Sequence, residues 1–145
     1  MNLTAKGQVD YWLKLSKDSL LDMRAALRSG RRVNALFCGH LSIEKMLKAL
    51  CAVRRVSSSQ IWGHNLVSIT QKANYILTNS QVMELGTITG FNLAARYDDY
   101  NRQFAKLCTP QYVKQWVVVI EAWYINLKQV ILHERALLPN NAPAT

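Results

Sequence analysis

The sequence predicts an all-α fold, a five-helix up-and-down bundle with a four-helix-bundle core. Apolar residues recur at three- and four-residue intervals along most of the chain, and no strand-like alternation persists. Half of the 145 residues are hydrophobic and only 19% are charged, enough for one real core and too apolar for a disordered chain. Cap and loop signals fall between the periodic stretches at short intervals, as antiparallel neighbours require.

The first helix is expected over about Gln8–Ser29, with Leu13, Leu20, Met23 and Leu27 on one stripe. Gly30 stops it, because glycine takes the left-handed conformation cheaply. The second follows Arg31-Arg32 and runs to about Val53 on Leu36, Ile43, Met46, Leu47 and Leu50; its small residues Ala35, Gly39 and Cys51 permit close approach of another helix. Ser57-Ser58-Ser59 marks a loop. The third begins near Asn65 and turns Leu66, Ile69, Ala73 and Ile76 inward. Thr78-Asn79-Ser80 can cap the fourth, about Gln81–Arg96, with Val82, Leu85, Ile88 and Ala95 inward. Gly86 and Gly90 in that helix read as close packing. Thr109-Pro110 is a strong start for the fifth, which runs to about Leu137, roughly 40 Å at ~1.5 Å per residue. Its apolar middle exceeds a single stripe, and the surplus predicts a homodimer through Trp116, Val119, Ile120 and Trp123. Residues 1–138 form one domain in this scheme, and 139–145 a disordered tail.

Composition narrows the function classes. No apolar run approaches the ~20 residues of a membrane span, and the opening MNLTAKGQVDYW has no apolar signal core. Three widely spaced cysteines, Cys38, Cys51 and Cys108, fit buried free thiols. A cytoplasmic protein without membrane partner, metal site or cofactor is expected. The net charge of +9 is uneven: residues 1–72 carry 12 Lys and Arg against 4 Asp and Glu, and residues 73–145 carry 6 against 5. Such a field attracts nucleic acid, nucleotides or an acidic protein.

No phosphate-binding glycine loop, GxSxG elbow or HExxH motif occurs. His40 reads as a core or interface histidine, His133 as a cation favoured at a helix end, and His64 as a residue capping the third helix. The densest polar run is Ala95-Arg96-Tyr97-Asp98-Asp99-Tyr100-Asn101-Arg102. Arg suits phosphate or carboxylate, Tyr suits stacking, and Asp can orient Arg. An up-and-down course brings Arg54, Arg55, His64 and Arg96 to one end. The candidate binding set is therefore Arg54, Arg55, His64, Arg96, Tyr97, Tyr100 and Arg102.

Several of these segments resemble the HEPN domain family (higher eukaryotes and prokaryotes nucleotide-binding). Tyr11-Trp12-Leu13-Lys14-Leu15-Ser16-Lys17-Asp18 resembles its first helix. His40-Leu41-Ser42-Ile43-Glu44-Lys45-Met46-Leu47-Lys48-Ala49-Leu50 resembles its second. Gly63-His64-Asn65-Leu66 is similar to the His-Asp-Leu opening its third, and Ala95-Arg96-Tyr97-Asp98-Asp99-Tyr100 to its Ala-Arg-Tyr-Pro-Asp-Tyr segment. The likeness covers about residues 8–137. It implies a helical bundle that commonly dimerises, often beside a minimal nucleotidyltransferase in toxin–antitoxin pairs. Catalytic members are metal-independent ribonucleases using Arg, four to six residues, then His. Here Arg96 is followed five residues later by Asn101, which is no general base near neutral pH. No catalytic residue carries over. The expected function is a non-catalytic module binding a nucleotide, RNA or a nucleotidyltransferase. The alternatives are a ribonuclease toxin with a diverged site, and a purely structural dimerisation module.

Overall fold

The computed structural model describes residues 3–145. They form six α-helices: α1 (Ala5–Arg28), α2 (Arg32–Val53), α3 (Leu66–Lys72), α4 (Asn79–Arg96), α5 (Asp98–Leu107) and α6 (Pro110–Ala136), with a 3-10 turn at Ser58–Gln60. No strand occurs among the described residues beyond an isolated bridge between Thr4 and Pro143. Cross-contacts give the directions. Arg24 meets Glu121 and Asp10 meets Arg135, so α1 and α6 are antiparallel. Arg54 meets Glu134 and a side chain at Gly39 would meet Ile120, so α2 and α6 run together. Glu84 meets Trp123 and Phe91 meets Trp116, so α4 opposes them. The core is thus the up-and-down set α1, α2, α4 and α6.

The cap signals act as expected at most ends. Gly30 sits at φ +76° after α1. Thr78 and Gln81 form a reciprocal capping box at α4. Thr109 accepts from Tyr112 N at 3.2 Å, with Pro110 opening α6. Asn65, not His64, caps α3 by accepting from Ser68 N at 3.0 Å. Helix α1 begins earlier than expected, because Thr4 accepts from Gly7 N at 3.0 Å.

The sixth helix is α5, the polar run read from the sequence as a helix terminus. Asp98 and Asp99 stand in its first turn and Lys106 in its last, the charge order that the helix dipole favours. Tyr100, Phe104 and Leu107 give it an apolar stripe.

The tail expected to be disordered is held against α1. Ala5 N, an orphan donor in the helix's first turn, donates to Ala142 O at 2.8 Å. Ala144 N reaches Leu3 O at 3.0 Å, and Thr145 Oγ1 reaches Val56 O at 3.0 Å.

Helix α2 is central. From Ala35 to Val53 none of its residues is exposed, and Leu36, Ile43, Met46, Leu47 and Leu50 are fully buried. Its buried polar groups are matched by neighbours: Ser16 Oγ donates to Ser42 O at 2.7 Å and Ser42 Oγ to Ser16 O at 2.9 Å. Elsewhere two expected inward positions fail, and so does the packing expected at two glycines. Ile76 lies beyond α3 and is 93% exposed, because the helix ends at Lys72; Val82 is 41% exposed in the first turn of α4. Gly86 and Gly90 have open space where a Cβ would stand, so they face outward and are not packed closely. The side chain of Ala95 lies outside the described residues.

At Gly39 close packing is real. An added Cβ would lie 2.6 Å from Ile120 Cδ1 and 3.0 Å from Met23 Sδ. Both neighbours are ends of flexible side chains, so they can retreat at some cost. Gly39→Ala is expected to destabilise by about 1–2 kcal/mol, the overpacking range, read as a lower urea midpoint at unchanged slope.

Candidate functional site

The candidate site forms where α4 ends against the loop before α3 and the middle of α2. Its deepest member is Glu44, whose side chain is 5% exposed. Lys48 Nζ donates to Glu44 Oε1 at 2.8 Å, and His64 Nδ1 lies 3.0 Å from Glu44 Oε2. A carboxylate only accepts, so His64 carries its proton on Nδ1 and turns the Nε2 lone pair outward. That lone pair accepts from the Arg96 guanidinium at 3.2 Å. The backbone carbonyl of His64 accepts from His40 Nε2 at 3.1 Å. His64 is 45% exposed at the side chain, so the chain of contacts runs from the interior at Glu44 to the surface at Arg96.

The electrostatics keep Glu44 charged and His40 neutral. Burial pushes the Glu44 carboxyl up, but hydrogen bonds from Lys48 and His64 outweigh it and the group ends below the ordinary carboxylate range. Burial holds His40 below the ordinary histidine range, against its bond to the His64 carbonyl and the charge of Glu44. His40 is wholly buried, and its Nδ1 has no hydrogen-bond partner; Glu44 Oε2 is 3.8 Å away.

The structure joins His64 and Arg96, as the sequence suggested, but it separates them from Arg54 and Arg55. The segment after α2 doubles back alongside it. His64 therefore sits beside His40, thirteen residues or ~20 Å along the helix from Val53. Helix α3 then runs forward again, with Cys51 Sγ donating to Ile69 O and Arg54 reaching Ala73 O. Arg54 is a structural clamp: Nε and Nη2 contact Glu134 at 2.9 and 3.0 Å, and its plane lies over Tyr75. Arg55 takes φ +63° as the left-handed residue ending α2. Neither belongs to the site.

Tyr97 and Tyr100 are exposed and meet edge to face, with centroids 6.2 Å apart. Tyr100 also lines an apolar groove with Phe91, Phe104, Leu107 and Tyr112. Arg102 is exposed on α5. Sequence reasoning missed Glu44. The signal was a lone carboxylate within an apolar helix, four residues after His40 and hence on the same face.

The expected dimer residues also divide. Ile120 and Trp123 are buried within the chain, and Trp123 Nε1 donates to Glu84 at 2.8 Å; they fall on the inward stripe with Val113, Leu127 and Ile131. Trp116 is half-buried against Phe91, and Val119 is half-buried in a groove beside Tyr75. The exposed apolar residues of α6 are Val118, Ile125 and Leu132.

The lowered pKa of His40 has a definite sign. The folded state binds fewer protons than the unfolded chain as pH falls through ~6.5, so stability declines there until the folded pKa is reached. Urea unfolding between about pH 7.5 and 5.5 should show this loss. It should be smaller in His40→Asn; an equal slope in that variant would assign the loss elsewhere.

A family model described as HEPN domain matches residues 9–124. No curated protein and no solved structure matches the chain, and no helix among the described residues is long and apolar enough to cross a membrane.

Proposed function

The chain belongs to the HEPN domain family, and from that premise we propose that it binds the phosphate of a nucleotide or RNA through Arg96 and His64. The observation that carries this is the exposed Arg96–His64 contact, backed by the buried Glu44. A phosphate oxygen can take the place of the His64 lone pair as acceptor for Arg96, in the charge-assisted geometry that guanidinium favours. Tyr97 and Tyr100 supply flanking rings for a base. Within this reading a minimal nucleotidyltransferase is the protein partner that the family implies.

A second reading, ribonuclease activity, is favoured by one specific feature. Asn101 occupies the position of the motif histidine, yet His64 turns its Nε2 lone pair to the surface beside Arg96, with Nδ1 fixed by a carboxylate. In such a step Nε2 takes the proton of a ribose 2′-hydroxyl, and the 2′-oxygen bonds to phosphorus as the bond to the 5′-oxygen breaks. Arg96 stabilises the charge on the phosphoryl oxygens. The leaving oxygen takes a proton from water, and His64 returns its own to solvent. The products are a 2′,3′-cyclic phosphate and a 5′-hydroxyl.

Arg96→Ala is expected to weaken RNA binding by ~1–3 kcal/mol, and wild-type affinity should fall as salt rises. Fluorescence anisotropy at two salt concentrations measures both. Indifference to salt and to Arg96 would leave the structural dimerisation module as the better account. Metal-free cleavage of RNA that disappears in His64→Ala would select the ribonuclease.

The dimer is best placed on the outer stripe of α6. Val118 and Leu132 lie seven residues either side of Ile125 and, with Ala122, share its exposed face. A two-fold axis at Ile125 would set Val118 of one copy against Leu132 of the other, the self-complementarity of an isologous contact. Ile125→Glu is expected to give a monomer by sedimentation velocity while the wild type sediments as a dimer. A wild-type monomer at micromolar concentration would remove this interface.

A further inference from the structure

We propose that the cleft at the start of α2 is a second nucleotide subsite, so that the ligand is a single-stranded polynucleotide and not a mononucleotide. This rests on the phosphate site at Arg96 and His64. Val33, Phe37, His40 and Glu44 follow one another at helical spacing, so one face of α2 carries both places. Phe37 stands seven residues before Glu44, ~10 Å along the helix. Next to it opens a cleft of about 500 Å³ lined by Arg31, Arg32, Val33, Asn34, Phe37 and Asn101.

The lining has the chemistry of one nucleotide. Arg31 is exposed, and no carboxylate lines the cleft. Arg32 donates Nε to Cys108 O at 2.7 Å, which ties its guanidinium to the turn before α6. The half-buried Phe37 ring offers a surface on which a base can stack. The amides of Asn34 and Asn101 can pair with base edges. Both flanking bases of a duplex are occupied by stacking, so an unpaired strand is the form that fits.

The two places are also joined by chain. Arg96 ends α4, α5 begins at Asp98, and Asn101 lies one turn further on. A strand held by its phosphate at Arg96 therefore meets the cleft with its adjacent nucleotide. Asn101 contributes here as a lining amide, a role that needs no proton transfer.

The test compares a labelled single-stranded oligoadenylate with adenosine monophosphate, by anisotropy and by competition, on the full chain. The side chain of Arg31 makes no capping bond at α2, so Arg31→Ala should leave the fold intact; Phe37→Leu is the second variant. Both are expected to weaken oligoadenylate about tenfold, the equivalent of one charge-assisted bond or one stacked base, and to leave the monophosphate unchanged. Arg96→Ala should weaken both probes. Equal affinity of the wild type for the two probes would overturn the subsite, as would oligoadenylate binding that ignores Arg31→Ala while responding to Arg96→Ala. Failure of both probes to bind wild-type protein would instead overturn the phosphate site on which the subsite rests.

Discussion

A helix with no fully exposed residue has little solvent face on which to place polar groups, and α2 has none exposed from Ala35 to Val53. Each polar side chain there needs a partner from another element, or its burial costs a few kcal/mol. Ser42 takes its partner from α1. His40 takes the carbonyl of His64, and Glu44 takes Lys48 and the His64 ring. Satisfying α2 therefore pins the loop before α3 against it. That loop then holds His64 where the end of α4 can bring Arg96 to it. The site is built as a by-product of the need to solvate a central helix.

The same requirement explains which parts of the molecule were legible from sequence. Helix ends were readable at Gly30, Thr78 and Thr109-Pro110, because caps act through neighbours two or three residues away. The α2 stripe was readable because burial on that scale leaves few polar positions. Helix α5 was obscured: its residues are polar on average, and only Tyr100, Phe104 and Leu107 reveal the period. The pairing of His64 with Arg96 was legible as topology, since α3 starts where α4 ends. Arg54 was misplaced by the same topology, because nothing local in residues 54–64 says that the segment returns along α2 and does not simply turn. Glu44 went unnoticed because its partners come from sequence separations of four and twenty; only the fold makes the second of these a contact.

The excess of positive charge is also partitioned by the fold. Arg24, Arg54 and Arg135 are consumed by Glu121, Glu134 and Asp10, and all three pairs fasten α6 to α1 or α2. The bidentate pair at Glu134 is half-buried and stacked on Tyr75, which makes it firmer than an exposed pair worth ~0–1 kcal/mol. What remains unpaired by carboxylates near the N-terminal half of α2 is Arg31, Arg32 and Arg96. Part of the field that composition announced therefore stands beside one half of one helix, on the side where α4 and α5 meet it.

These arginines bear on why an asparagine can stand at position 101. A histidine there would place its ring among Arg31, Arg32 and Phe37, in a cleft whose cations disfavour a second positive charge. Asparagine adds no charge and keeps donor and acceptor in one side chain. Position 64 has the opposite surroundings, with a buried carboxylate directly behind the ring. The imidazole at 64 thus stands where the Glu44 carboxylate accepts from its Nδ1, and the neutral amide at 101 stands among the cleft's arginines.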